Sequence, residues 1–207
     1  MVLAFFVGLV IATKRSKRTG MSPEKVGDLG LYLILFGALG ARILFIAQEW
    51  SHYAKHPDEL WSLQFQGLTS FGGLIGGFLT LVVYCRRHKI PVTLALDTMG
   101  PAVLVSHAIG RVGCLLNGCC YGAPTHAWYG VHQEGLLGHY APTQLLDSAM
   151  CVAFFLLLTW WESRRTFRPG QVFCWAMIAY NVSRFIYEFS RAGTSSTVPS
   201  AGSSPSP

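Results

Sequence analysis

The sequence predicts an all-α, polytopic membrane protein with about six transmembrane helices and a polar loop region on the outer face. Three observations predict this fold. The 207 residues are 51% hydrophobic and only 13% charged, whereas a soluble domain averages about 25% charged residues. Apolar segments about as long as a bilayer is thick recur along the chain. Basic residues cluster in every second connection between these segments, as cytoplasmic loops require.

The basic residues predict the orientation of the chain. Most of the sixteen lysines and arginines follow the first, third or fifth apolar segment. They are Lys14, Arg15, Lys17, Arg18, Lys25, Arg86, Arg87, Lys89, Arg164, Arg165 and Arg168. These three connections are therefore expected inside and both termini outside. The net charge of +6 follows from topology, so we expect no nucleic-acid partner.

The apolar segments predict six spans and one domain. The predicted spans are 2–13, 29–48, 67–84, 95–116, 145–161 and 170–189. Ser22-Pro23-Glu24 is typical of a helix start, and Gly72-Gly-Leu-Ile-Gly-Gly77 is typical of a close helix-packing face. Residues 1–191 are predicted as the transmembrane domain. Residues 192–207 are rich in Ser, Pro and Gly and are predicted to be disordered.

Three arginines are predicted at one depth in the membrane. Arg42, Arg111 and Arg184 lie in the second, fourth and sixth spans, each about 20 to 22 Å from the inner end of an outward-going helix. A single arginine near a helix end is typically explained by its side chain extending to the headgroups. Three at one depth favour a cavity for an anion, open to the outer leaflet, because guanidinium groups bind phosphate bidentately.

The glycine-rich stretch from Gly110 to Gly122 carries a resemblance to a known family. Gly110-Arg-Val-Gly-x-x-x-Asn-Gly-x-x-Tyr-Gly122 resembles the signature of bacterial prolipoprotein diacylglyceryl transferases. Four further segments resemble that family in collinear order. They are Gly40-Ala-Arg42, the segment from Gly67 to Gly77, Pro142-Thr-Gln-Leu145, which resembles Pro-Ser/Thr-Gln-Leu-Tyr-Glu, and the segment from Tyr180 to Arg191. The chain is similar to a divergent, C-terminally short member.

The resemblance implies an enzyme of lipoprotein maturation in the bacterial cytoplasmic (inner) membrane. Such an enzyme transfers the diacylglyceryl group of phosphatidylglycerol to the lipobox cysteine in the signal peptide of a prolipoprotein. The resemblance implies no metal and no cofactor. It assigns Arg111 and Arg184 to the phosphate. The residues expected to bind the remainder of the substrate are Arg42, Asn117, Gly122, Tyr180, Glu188 and Arg191.

The general base has to be assigned differently from the family pattern. Phe71 occupies the position of a histidine that the family commonly has before the glycines of the third span. The attacking thiol must nevertheless lose its proton, because the thiolate is the nucleophile. His107 lies four residues before Arg111, on the same helix face. We therefore predict His107 as the base, against the alternative that it is a packed polar residue.

Two other readings remain open. Cys114, Cys119 and Cys120 could bind zinc or form a disulfide, with His126, His132 and His139 as further ligands. Their spacing fits no standard zinc pattern, and the adjacent pair is expected to be a poor chelate, so the sequence predicts no metal site. A non-catalytic phospholipid-binding relative, which keeps the phosphate site without the chemistry, is the alternative function. A channel or carrier is not favoured, because paired broken helices are absent.

Overall fold

The computed structural model describes residues 2–53, 69–125, 129–132 and 138–191, and these residues are mostly helical. The helices in chain order are α1 (Val2–Thr19), α2 (Pro23–Gln48), the short α3 (Trp50–Tyr53), α4 (Ser70–Arg87), α5 (Val92–Leu116), α6 (Thr143–Arg164) and α7 (Gln171–Arg191). Two short strands, β1 (Val131–His132) and β2 (His139–Tyr140), pair antiparallel between α5 and α6. The predicted all-α class is confirmed.

The described residues of the predicted spans lie mostly in helices, although the helix ends differ from the predicted ends. Three of the described helices, α2, α5 and α6, are long and apolar enough to cross a bilayer. The count of six spans stays a prediction. α1 continues past the expected end of the first span to Thr19, because Lys and Arg are good helix formers. Gly20, with φ of 80°, then follows the helix end. The predicted start at Pro23 is confirmed.

The described chain contains two compact units, one formed by residues 9–99 and the other by residues 1–8 and 100–207. In the first unit, α2 packs on α4 through glycines. A methyl group at Gly40 would come within 2.6 Å of the Gly72 carbonyl oxygen, and one at Gly76 within 2.6 Å of the Phe36 carbonyl oxygen. The glycines therefore allow the two backbones to touch. Arg15 is buried in the same unit and donates to the carbonyl oxygens of Asp97 and Thr98.

The second unit has its apolar core between α5, α6 and α7. Leu104, Leu158, Val172 and Ala176 form the buried centre. Its outward surface is also apolar: Phe185 is 74% exposed, and Leu156 and Trp160 are also exposed. An apolar exterior of this kind suits contact with lipid tails. The polar side chains described next lie on the N-terminal end of α6 and on the C-terminal halves of α5 and α7.

Candidate active site

Asp147 lies at the centre of the polar cluster in the second unit. It is on the first turns of α6, together with the buried Thr143 and Gln144. Its side chain is fully buried. A carboxylate removed from water is stable only when it is paired and hydrogen bonded. The surrounding residues should therefore supply both kinds of partner, and they do so from α5 and α7.

α5 supplies two cationic or basic partners to one oxygen of Asp147. Arg111 Nε lies 3.0 Å from Asp147 Oδ2, and His107 Nε2 lies 3.2 Å from the same oxygen. His107 and Arg111 are four residues apart, so the helix places them on one face. The four-residue spacing in the sequence predicted this shared face. Both side chains converge on the Asp147 carboxylate. This partner was not predicted.

α7 completes the pairing of the carboxylate. Ser183 Oγ donates a hydrogen bond of 3.0 Å to Asp147 Oδ1 and is itself fully buried. The Cys151 thiol lies 3.9 Å from the same oxygen, one turn along α6. Tyr180 packs edge to face on the His107 ring, with 5.1 Å between ring centroids. The cluster therefore joins three helices around a single buried acid.

The Tyr187 ring brings the two predicted phosphate-binding arginines together. The Arg111 guanidinium carbon lies 4.2 Å from the ring centroid, and the Arg184 guanidinium carbon lies 4.9 Å from it. Such contacts between guanidinium groups and an aromatic ring are favourable. Arg184 also pairs with Glu188 at 3.9 Å, one turn further along α7. Two positive charges thus stand at one aromatic side chain.

Arg111 has hydrogen-bonding capacity that the described residues do not use. Its Nη2 is buried and forms no hydrogen bond of good geometry with the described residues, although the Tyr187 ring lies against the guanidinium group. Its Nε is close enough to Asp147 for an ion pair, but the N–H bond is not directed at the oxygen. A buried donor without an acceptor costs free energy. An anionic ligand that accepted from Nη2 would remove this cost.

The turn after α5 is fixed against α6 and α7 by its carbonyl groups. Gln144 Nε2 donates to the Cys119 carbonyl oxygen at 2.7 Å, and the Tyr187 hydroxyl donates to the Cys120 carbonyl oxygen at 3.2 Å. Gly122 is buried beside Thr143, and an added methyl group there would collide with the Thr143 side chain. Gly122 therefore allows the chain to pass close to the start of α6.

The structure gathers only some of the residues singled out in the sequence. His107, Arg111, Tyr180 and Arg184 meet around Asp147 and Tyr187, as described above. Glu188 is 64% exposed and pairs with Arg184 at the edge of this group. Their functional roles stay predictions, because geometry alone does not assign a role.

The remaining predicted residues make no contact with this cluster that the structure describes, belong to the other unit, or fall outside the described residues. Asn117 is exposed in the turn after α5. Arg42 belongs to the other unit, where its guanidinium carbon lies 5.7 Å from the Tyr53 ring centroid. The equal-depth prediction for Arg42 is therefore untested. The Arg191 side chain and residues 192–207 fall outside the described part of the chain.

Sequence reasoning missed Asp147, Gln144, Ser183 and Tyr187. One signal was present for Asp147. It occupies the glutamate position of the Pro-Ser/Thr-Gln-Leu-Tyr-Glu pattern that begins with Pro142. An acidic residue inside a predicted apolar span is also costly enough to mark a functional position. Ser183 and Tyr187 gave no comparable signal, because their roles depend on partners in other helices.

Comparison with known proteins gives consistent matches over most of the chain. A family model described as prolipoprotein diacylglyceryl transferase matches residues 1–204. A Clostridium tetani protein named phosphatidylglycerol–prolipoprotein diacylglyceryl transferase is 33% identical over 196 residues, which cover 91% of this chain and 77% of that protein. Proteins of the same name from Finegoldia magna and Lactobacillus gasseri are similar at 31% and 30% identity. Their matches cover 90% and 91% of this chain and 74% and 72% of the relatives.

Proposed function

The chain belongs to the prolipoprotein diacylglyceryl transferase family, and we propose that it transfers the diacylglyceryl group of phosphatidylglycerol to a prolipoprotein. The acceptor is the thiol of the lipobox cysteine in a secreted precursor, and the second product is glycerol phosphate. The observation that carries the proposal is the cluster of the buried Arg111 and Asp147 with the partly buried His107, beside Arg184. In this cluster a positive charge that can bind phosphate, that of Arg111, lies close to a candidate general base, His107.

Arg111 and Arg184 are the proposed phosphate-binding residues. Asp147 occupies the Nε side of Arg111, while Nη2 is buried and forms no hydrogen bond of good geometry with the described residues. A phosphodiester oxygen that accepts from Nη2 would satisfy this donor, and Arg184 would contact the same phosphate across Tyr187. During transfer the phosphate gains negative charge as it leaves. Fixed positive charges in a site sheltered from water stabilise that charge more than bulk water does.

His107 is the proposed general base. With Nε2–H donating to Asp147 Oδ2, Nδ1 carries the lone pair that can accept a proton. In the proposed step the thiol proton moves to Nδ1 and the sulfur forms a bond to the glyceryl carbon. The bond from that carbon to the phosphate oxygen breaks, and its electron pair leaves with glycerol phosphate. Asp147 stabilises the positive charge that His107 gains.

The membrane setting of the proposal follows from the chain's own pattern of charge. Basic residues in alternate connections favour the Asp147 end of α6 on the outer side. We place the protein in the bacterial cytoplasmic membrane, with the site open to the outer leaflet. Phosphatidylglycerol would then reach the arginines laterally from the lipid, and the precursor would present its cysteine from the same side.

The direct test measures transfer from radiolabelled phosphatidylglycerol to a lipobox peptide, in membranes where this protein is the sole candidate transferase. Arg111→Ala and Arg184→Ala should each lower the rate by ~100-fold or more, in the range seen when a charge-stabilising donor is removed. Arg164→Ala is the matched control, because Arg164 also lies over an aromatic ring, that of Trp160 at 5.1 Å. Labelled lipid that binds without any transfer would instead support a phospholipid-binding relative.

A further inference from the structure

Three cysteine thiols meet where α5 ends. Cys114 lies on the last turns of α5, while Cys119 and Cys120 lie in the turn that follows. Their three sulfur atoms all lie within 4.8 Å of one another. The Cys119 and Cys120 sulfur atoms are 3.4 Å apart. All three thiols are free, and the Cys120 side chain is exposed.

The backbone of the turn explains why the sulfurs converge. Gly118 has φ of 65°, which ends the helix. The Cys119 amide then donates to the Cys114 carbonyl oxygen at 3.1 Å, so the chain folds back over Cys114. Cys120 also has φ of 65°, an uncommon conformation for a residue with a side chain. This turn brings the sulfur atoms of the adjacent pair to one side, an arrangement that their spacing in the sequence did not suggest.

The turn is held in this shape from outside. Its Cys119 and Cys120 carbonyl groups accept hydrogen bonds from Gln144 on α6 and Tyr187 on α7. The Thr143 hydroxyl donates a longer bond, of 3.4 Å, to the Cys120 carbonyl oxygen. Since neighbouring helices fix both carbonyls, the thiols are organised before any ligand binds. Preorganisation of this kind raises the affinity of a site.

The sulfur spacing suits a small thiophilic ion. Zinc binds thiolate sulfur at about 2.3 Å in tetrahedral geometry, which requires about 3.8 Å between sulfurs. The observed spacing, 3.4 Å for one pair and at most 4.8 Å for the others, brackets that value. Within the described ranges no histidine, aspartate or glutamate joins the three sulfurs. A fourth coordination position is thus left for water or another small ligand.

From this geometry we infer that Cys114, Cys119 and Cys120 form a binding site for a thiophilic d10 metal ion of the Zn²⁺ or Cu⁺ class. The three thiols bind as thiolates, so binding releases their protons to solvent. The site differs from the Asp147 cluster in its residues and in its chemistry. It does not rest on the transferase proposal, which assigns no role to a metal ion.

The test titrates Cd²⁺ as a spectroscopic probe into reduced full-length protein in detergent micelles under anaerobic conditions. Thiolate-to-metal absorption should saturate at one Cd²⁺ per protein, and a competing chelator should reverse it. Cys120→Ser should weaken binding at least ~10-fold through the loss of one of three ligands. Cys174→Ser is the matched control, because Cys174 is also exposed but lies on α7 outside the cluster. It should bind like the unaltered protein.

Two results would overturn the inference. One is the absence of saturable binding by the unaltered protein. The other is unchanged binding in Cys120→Ser, which would move the ion to the group of His107, Asp147 and Cys151. Thermal unfolding of each variant separates ligand loss from misfolding. If Cys120→Ser misfolds, Cys114→Ala tests the same ligand set and should also lose the absorption. Retained absorption there would count against the site.

Discussion

At the residue scale, the buried Asp147 carboxylate is the common partner of side chains from two other helices. One oxygen pairs with His107 and Arg111, and the other accepts from Ser183. Asp147→Asn keeps the size of the side chain but leaves the buried Arg111 without a counter-charge. Breaking a buried ion pair costs about 3 to 5 kcal/mol, so the free energy of unfolding should fall by roughly that amount. The measurement is denaturant or thermal unfolding in micelles.

The same variant should lose transferase activity even under conditions where it remains folded. Glu162→Gln is the control, because Glu162 is an acid at the opposite end of α6 that is only partly buried. Its unfolding free energy should change by less than ~1 kcal/mol, because water screens the interactions of an acid that is only partly buried. Equal stability losses in the two variants would contradict the central position given to Asp147.

His107 provides a separate prediction at this scale. His107→Ala should slow transfer by ~100-fold or more, which is typical for loss of a general base. Added imidazole should restore part of the rate, because it can occupy the vacated space and accept the proton. Phosphatidylglycerol binding should be preserved, since Arg111 and Arg184 remain. Rate loss without rescue, together with lost lipid binding, would indicate a packing role instead.

The residue-scale predictions from sequence succeeded where partners share one helix. The four-residue spacing of His107 and Arg111, and that of Arg184 and Glu188, placed each pair on one face, and both pairs are found there. Asp147 was missed because its partners on α5 lie about forty positions away in sequence. Local spacing carries no information on which faces of different helices meet.

At the element scale, glycines set the distance between α2 and α4. Gly40→Ala would place a methyl group 2.6 Å from the Gly72 carbonyl oxygen. Backbone atoms cannot move aside cheaply, so we expect a loss of about 1 to 3 kcal/mol in unfolding free energy. Gly27→Ala on the same helix is the matched control, because nothing lies within 4 Å of its added methyl group.

Thermal unfolding of these two variants in micelles is the measurement. Gly27→Ala should be neutral or stabilising by up to ~1 kcal/mol, because alanine restricts the unfolded chain more than glycine does. Similar melting temperatures for Gly40→Ala and the unaltered protein would mean that α2 and α4 can separate without cost. The packing face predicted from Gly72 to Gly77 would then contribute little to the free energy of unfolding.

Element boundaries were predictable where a local signal exists. Ser22-Pro23 marked the start of α2, and Pro142 directly precedes α6, which begins at Thr143. The turn after α5 was not predictable in detail, because the conformation of Cys120 depends on hydrogen bonds from α6 and α7. No sequence pattern predicts that a non-glycine residue such as Cys120 adopts a positive φ.

At the scale of the whole molecule, orientation can be tested with single cysteines in a cysteine-free background. Tyr129→Cys lies in the polar region between α5 and α6, and Ser163→Cys lies at the far end of α6. A membrane-impermeant maleimide should label the first in intact spheroplasts and the second only in inverted vesicles. Both native side chains are exposed, so folding does not hide them. The reverse pattern would overturn the predicted topology.

The whole-molecule prediction from sequence covered class and membrane character. Composition and the distribution of charge were sufficient for these, and three described helices have the length and apolarity to span a bilayer. The convergence of the polar residues from α5, α6 and α7 at Asp147 was not predictable, since it depends on how helices rotate about their own axes. Hydropathy gives the length of a helix but not its rotation against its neighbours.

The single oxygen shared by His107 and Arg111 has a consequence for the order of substrate binding. A phosphate that draws Arg111 toward itself would weaken the Arg111–Asp147 pair. Asp147 would then have His107 as its remaining partner from α5, which would hold the imidazole in position for the incoming thiol. We therefore expect compulsory order, with the phospholipid entering before the precursor thiol is deprotonated. Product-inhibition patterns, or thiol reactivity of the bound peptide with and without phosphatidylglycerol, would reveal this sequence of events.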